Sequence, residues 1–116
     1  MRASAAIDAL AALANEHRLA LYRLLVQAGE GGLPAGTIAE TLGLPNSSLS
    51  FHLAQLNRAG LIRSERQHRS IRYSADYAAM NALVGYLMEN CCARTTGGPV
   101  PSCGTHVAQG NERETA

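Results

Sequence analysis

The stretch from Gly43 to Gly60 has room for one short helix and little else. Gly43-Leu44-Pro45 makes a tight connection before it, Asn46 can cap it and Gly60 supplies its stop, so a helix is expected over Ser47 to Ala59. Within it Leu49, Leu53 and Leu56 recur at spacings of four and three, which puts them on one face and turns that face inward. Ser47, Ser48, Ser50, Phe51 and Gln55 are left outside. Such a face holds few of the charge pairs that stabilise a helix, so its composition points to contact with a partner.

The flanking segments complete a small α-rich fold. Ala3 to Leu13 is alanine-rich with Ile7, Leu10 and Leu13 at helical spacing, and its small side chains permit close packing. Asn15 is a good cap for a second helix from Glu16 to about Ala28, whose apolar residues cover most of its circumference and should take it through the core. Gly29, Gly31 and Gly32 break that helix, and Pro34 can occupy the first turn of a third, ending near Leu42. After Gly60, Leu61 to Arg66 and Ser70 to Tyr73 read as two short strands joined by Gln67-His68-Arg69. Ser74 and Asp76 favour a last helix, along which Tyr77, Met80, Leu83, Val84 and Leu87 trace an apolar stripe. From Ala93 onward, Gly, Thr, Pro and Ser without hydrophobic period suggest a flexible segment, so residues 1–92 are expected to form the domain and 93–116 a tail.

The third and fourth helices, joined at a glycine-bearing turn, form a helix-turn-helix, with Ile38 and Ala39 on the first and Leu49 on the second. The hairpin that follows makes it a winged version, mainly α with a two-stranded β wing. In that arrangement the second helix enters a DNA major groove and the wing approaches flanking phosphate or minor groove. Charge agrees with this. The net charge of the 116 residues is only +1, yet residues 46 to 73 carry Arg58, Arg63, Arg66, Arg69 and Arg72 against Glu65 alone. A local cationic block is what phosphate contact requires. A chain this short buries a modest core by itself, so a second copy covering an exposed apolar helix is a natural supplement. No apolar run is long enough to cross a bilayer and the start lacks a secretory stretch, which suggests a cytoplasmic protein.

Ala14-Asn15-Glu16-His17-Arg18-Leu19, Ser50-Phe51-His52-Leu53 with Leu56, Ala59-Gly60-Leu61-Ile62 and Arg72-Tyr73 together resemble the ArsR/SmtB family of bacterial metalloregulatory repressors, over roughly residues 5 to 92. The resemblance implies a homodimer of winged helices, paired through first and last helices, that holds operator DNA until an inducer binds. It assigns DNA contact to Asn46, Ser47, Ser48, Ser50, His52 and Gln55, and wing contact to Arg66, Arg69 and Arg72. His52 also has a purely structural reading of equal weight, because it lies beside Leu49 and Leu53. At the wing tip, where the family commonly has glycine, this chain has His68.

All three cysteines, Cys91, Cys92 and Cys103, fall at or beyond the end of the last helix. An odd number of thiols in a reducing compartment favours ligand or redox chemistry over a disulfide scaffold. Two sensor sites common in the family are missing: Pro34-Ala35-Gly36-Thr37 stands where a cysteine pair would lie in the third helix, and the last helix has no histidine for zinc. Leu87-Met88-Glu89-Asn90-Cys91-Cys92 is instead similar to arsenic-responsive repressors with thiols ending the last helix. That resemblance implies As(III) or Sb(III) as inducer, held by three soft thiolates. Adjacent residues on a regular helix point about 100° apart, so both sulfurs can share an ion only if the helix unwinds there. Three alternatives stay open: a Cys3His zinc site completed by His106, a disulfide redox switch helped by Arg94, and a methylated arsenical on Cys91 and Cys92 alone. An enzyme built on Cys103 and His106 is not expected, because nothing in that segment would preorganise a transition state. A winged helix serving only as a protein-binding module is the remaining rival.

Overall fold

The computed structural model describes residues 1–92, which form five helices and a small sheet, with α2, α3 and α4 packed against the strands. The order is α1 (Ala3–Leu13), α2 (Glu16–Ala28), β1 (Leu33–Pro34), α3 (Ala35–Leu42), α4 (Asn46–Arg58), β2 (Ile62–Gln67), β3 (Ser70–Ala75) and α5 (Tyr77–Met88). Leu21, Leu25, Ile38, Leu49, Leu56 and Leu61 are fully buried and come from α2, α3, α4 and the entry to β2. Each such side chain contributes roughly 1.5–3 kcal/mol by leaving water. Among the described residues no helix is long and apolar enough to cross a membrane.

Two helices differ from their expected packing. On α1 the face turned inward is Ala6, Ala9 and Ala12, while Ile7 is 64% and Leu10 43% exposed. Alanine lets the backbone of α1 approach α2 and α4 closely, and the larger side chains are carried to the outside. The second helix is one-sided: Leu21, Tyr22 and Leu25 are buried but Leu19 is exposed, so α2 borders the core instead of threading it. Its start is as expected, with Asn15 Oδ1 accepting from the His17 and Arg18 amides at 2.9 and 3.1 Å.

The sheet has three strands, in the order β1-β3-β2, and all pairs are antiparallel. The wing is the expected two-stranded hairpin, β2 and β3, and β1 adds a third strand to the sheet at its base; Pro34, expected in the first turn of α3, instead precedes that helix as its N-terminal flanking residue in extended conformation. Leu33 pairs with Tyr73 and Pro34 with Arg72, so the glycine loop after α2 docks against the base of the wing. That approach needs a residue without a side chain. A Cβ on Gly32, whose φ is +70°, would stand 2.4 Å from the Tyr73 carbonyl oxygen. The wing is also longer than the two strands read from sequence, with register running from Ile62↔Ala75 to Gln67↔Ser70 around a two-residue turn, His68-Arg69.

The helix-turn-helix corner is built at Gly43. There φ is +67° and the Leu44 amide reaches back to the Ala39 carbonyl at 3.1 Å, a closure that satisfies the open end of α3. Asn46 is not the cap of the next helix. Pro45 holds that place and Asn46 is the first helical residue, with no side-chain capping bond. Asp76 caps α5, accepting from the Ala79 amide at 3.0 Å, and Tyr77 ties α5 to α2 by donating to the Val26 carbonyl at 2.8 Å.

Candidate nucleic-acid interface and thiol site

On α4 the leucines face the core as their spacing requires, and Asn46, Ser47, Ser50 and Phe51 are exposed on the opposite side, with Ser48 half-buried at its margin. His52 belongs to the inner side. It is 8% exposed, its Nδ1 meets Arg18 Nη1 at 3.3 Å, and its ring lies 5.6 Å from those of His17 and Phe51. The geometry favours its structural reading, because Nδ1 is engaged by Arg18 and the ring packs beside His17 of α2. Burial, then Arg18, then His17 lower its pKa below the ordinary histidine value. Gln55 is half-buried and lines a cleft of about 300 Å³ with Asp8, Arg18 and Arg58, on the side of α4 that adjoins α1.

The wing presents Arg63, Arg66 and Arg69 to solvent. Arg72 stands apart: its Nε donates to the Gly31 carbonyl at 3.0 Å and its Nη2 to the Gly32 carbonyl at 3.2 Å, so this guanidinium fastens the glycine loop to β3. At the tip His68 adopts φ +56°, a left-handed conformation that glycine takes at lower cost. The turn thus keeps its shape without the glycine.

The last helix ends at Met88, three residues before Cys91, whose sulfur is disulfide-bonded. Asn90 and Cys92 have φ of +59° and +65°, and the Cys91 amide closes a turn onto the Met88 carbonyl at 2.9 Å. The helix is unwound where two neighbouring sulfurs need it to be. Their Sγ atoms are 3.4 Å apart. Cys91 is exposed and Cys92 half-buried, whereas Cys103 and His106 lie outside the described residues. Among the described residues no group of three or more His, Cys, Asp or Glu could hold a metal ion, so Cys91 and Cys92 alone make no complete site.

The model of a helix-turn-helix domain family matches residues 13–65. The HTH-type transcriptional regulator YgaV of Escherichia coli K12 is 35% identical over 92 residues, covering 79% of this chain and 93% of that protein. The transcriptional activator HlyU of Vibrio cholerae is 31% identical over 87 residues, covering 75% of this chain and 78% of its own. Among solved structures, an ArsR-like transcriptional regulator from Rhodococcus sp. RHA1 superposes with a TM-score of 0.68 at 27% identity, over 78% of this chain and 82% of that one. This chain belongs to the ArsR family of winged helix-turn-helix transcriptional regulators. A further structure, the homodimeric winged helix-turn-helix DNA-binding domain Mb0332 from Mycobacterium bovis, has a TM-score of 0.59 at 25% identity, covering 83% and 89% of the two chains.

Membership of the ArsR family places the protein among transcriptional regulators and not among enzymes. One functional side chain escaped the sequence reading, and two that it assigned to DNA contact, Gln55 and Arg72, have intramolecular surroundings it did not foresee. Arg18 stood inside a segment quoted for the resemblance, and no signal in the sequence of α2, which also carries Glu16, His17 and Arg23, set it apart as a structural partner. Arg72 and Gln55 carried no such signal either, because their positions depend on a third strand and on the proximity of α1.

Proposed function

We propose that this ArsR family member is a repressor that occupies operator DNA as a homodimer and leaves it when As(III) or Sb(III) binds Cys91, Cys92 and Cys103. The supporting observation is the pair of sulfurs 3.4 Å apart in a non-helical turn after α5. Cys103 would supply the third thiolate through the ten-residue tether Ala93 to Ser102, whose closure cost rises only logarithmically with length.

Sequence reading by DNA falls to Asn46, Ser47 and Ser50, with Ser48 at the margin, and phosphate contact to Arg66 and Arg69. Self-association is supported by exposed apolar side chains on α1 and α5, which pack together: Ile7 and Leu10 on the first, Val84 (47% exposed) and Leu87 (57%) on the last. A second copy covering them gains about 25 cal/mol for each Å² of apolar surface removed from water. The thiol turn follows directly from α5, so an ion there can bias how the two recognition helices are spaced. Release requires the metalloid to bind the DNA-free arrangement more tightly than the DNA-bound one.

The test is a titration of the protein on duplex from its own promoter with As(III) and Sb(III), under full reduction. Wild type should dissociate, and Cys91→Ser, Cys92→Ser and Cys103→Ser should each bind DNA normally but resist release. Release that persists in all three variants rejects the thiol site. Dissociation on oxidation with no response to metalloid replaces the reading with a redox switch. A promoter fusion fixes the direction of control, since HlyU is described as an activator; reporter output should rise with As(III).

A further inference from the structure

The end of α1 and the recognition helix meet through one side chain of α2. Arg18 Nε donates to the Ala12 carbonyl at 2.7 Å and its Nη1 to His52 Nδ1 at 3.3 Å. A guanidinium has no acceptor, so His52 Nδ1 takes this bond with its lone pair and the ring proton resides on Nε2. The Arg18 backbone is itself fixed, its amide held by Asn15 Oδ1. The two acceptors sit on separate elements, one at the end of α1 and one midway along α4, behind the exposed Ser47, Ser50 and Phe51. The groups facing His52 are Arg18 and His17 from α2 and Phe51 from its own helix; Glu16 lies 4.0 Å from His17, and Asp8 of α1 and Arg58 of α4 line the cleft beside Arg18.

We propose that Arg18 is a positioning residue for DNA binding: by joining the end of α1 to His52 it holds α4 at the angle at which the serine face meets DNA, and it does so only while the His52 ring is neutral. The proposal rests on the DNA-binding reading above. A proton on Nδ1 removes the acceptor and sets a cation against the guanidinium, so the link opens as pH falls. The sign separates this role from direct contact. An imidazolium touching phosphate strengthens DNA binding in acid, whereas the link weakens it.

The probe is a palindromic duplex selected by wild-type protein from a random pool, with affinity read by fluorescence anisotropy between about pH 8 and about pH 4.5, a range that reaches well below the ordinary histidine value because burial and Arg18 lower that of His52. His52→Asn keeps an acceptor near the Nδ1 position and does not titrate, so it cancels the background from the other histidines. At high pH, H52N should bind within about threefold of wild type, and Arg18→Met about tenfold more weakly with helix content unchanged, the range for losing a charged hydrogen bond. As pH falls, wild type should lose affinity relative to H52N by up to about tenfold per pH unit and protomer. Introduced on the R18M background, H52N should no longer alter the profile. Parallel wild-type and H52N profiles in a protein that binds overturn the link alone; if R18M unfolds, those two profiles decide the matter. A wild-type protein that selects no duplex overturns the DNA-binding reading and this proposal with it.

Discussion

Replacing Gly32 by alanine should destabilise the protein by about 3–4 kcal/mol, far more than the methyl group itself suggests. The added Cβ would stand 2.4 Å from the Tyr73 oxygen and 2.9 Å from its carbonyl carbon, both backbone atoms of β3. An ordinary carbon–oxygen contact is about 3.3 Å, so the glycine loop and β3 must separate by roughly 0.9 Å. A shift of that size breaks the short β1·β3 pairing, at about 0.5–1.5 kcal/mol for each hydrogen bond, and strains the two Arg72 bonds to Gly31 and Gly32. The φ of +70° adds about 1–2 kcal/mol for any side chain. Gly31→Ala is the control, because a Cβ there meets nothing within 4 Å and its φ is not in the left-handed range; it should change stability by less than about 1 kcal/mol. Urea denaturation of the three proteins at one matched concentration gives the comparison directly, and the thermal midpoint of G32A should fall by more than about 10 °C. G32A within 1 kcal/mol of G31A would refute the close approach, and with it the third strand.

Asn15→Ala removes the acceptor for two amides at the start of α2 and should cost about 1 kcal/mol in the same denaturation assay, with no change in folded-state helicity. Tyr22 has a buried hydroxyl without a hydrogen-bond partner among the described residues, and its pKa is pushed up to about 12 by burial, then by Asp76 and Tyr77. A raised folded-state value makes stability complete below about pH 10 and progressively lost above it; Tyr22→Phe should abolish that extra alkaline loss and be neutral or slightly stabilising at pH 7, and a Y22F protein with the same alkaline profile as wild type counts against it. Leu87→Glu places a charge in the apolar surface of α5 and should leave a monomer by sedimentation, with DNA affinity reduced at least tenfold. A dimeric L87E protein removes α5 from the interface.

Local chemistry accounts for much of what was legible beforehand. Asn15 and Asp76 start helices because their side chains satisfy nearby amides, and Gly43 stops one because its neighbours need a left-handed residue. Leu49, Leu53 and Leu56 face inward because their spacing matches the helical turn. Asn46 misled because a helix can begin at the extended residue Pro45 with no side-chain cap, which leaves the asparagine exposed on the first turn.

Sequence by itself determined the five helices, the wing hairpin, the family and the gathering of cysteines after the last helix, since each of these is set by neighbours along the chain, whereas the third strand depends on a pairing with distant residues. The tertiary structure alone decided which polar side chains are left to face a partner. His52, Gln55 and Arg72 have the same chemistry as the outward residues, but Arg18, α1 and the glycine loop reach them from 34 to 41 residues away or across a cleft. A hydrogen bond formed at such separation has no periodicity to announce it, and whether a side chain reads DNA or holds the reader in place depends on which partner the fold brings within 3 Å or so of it.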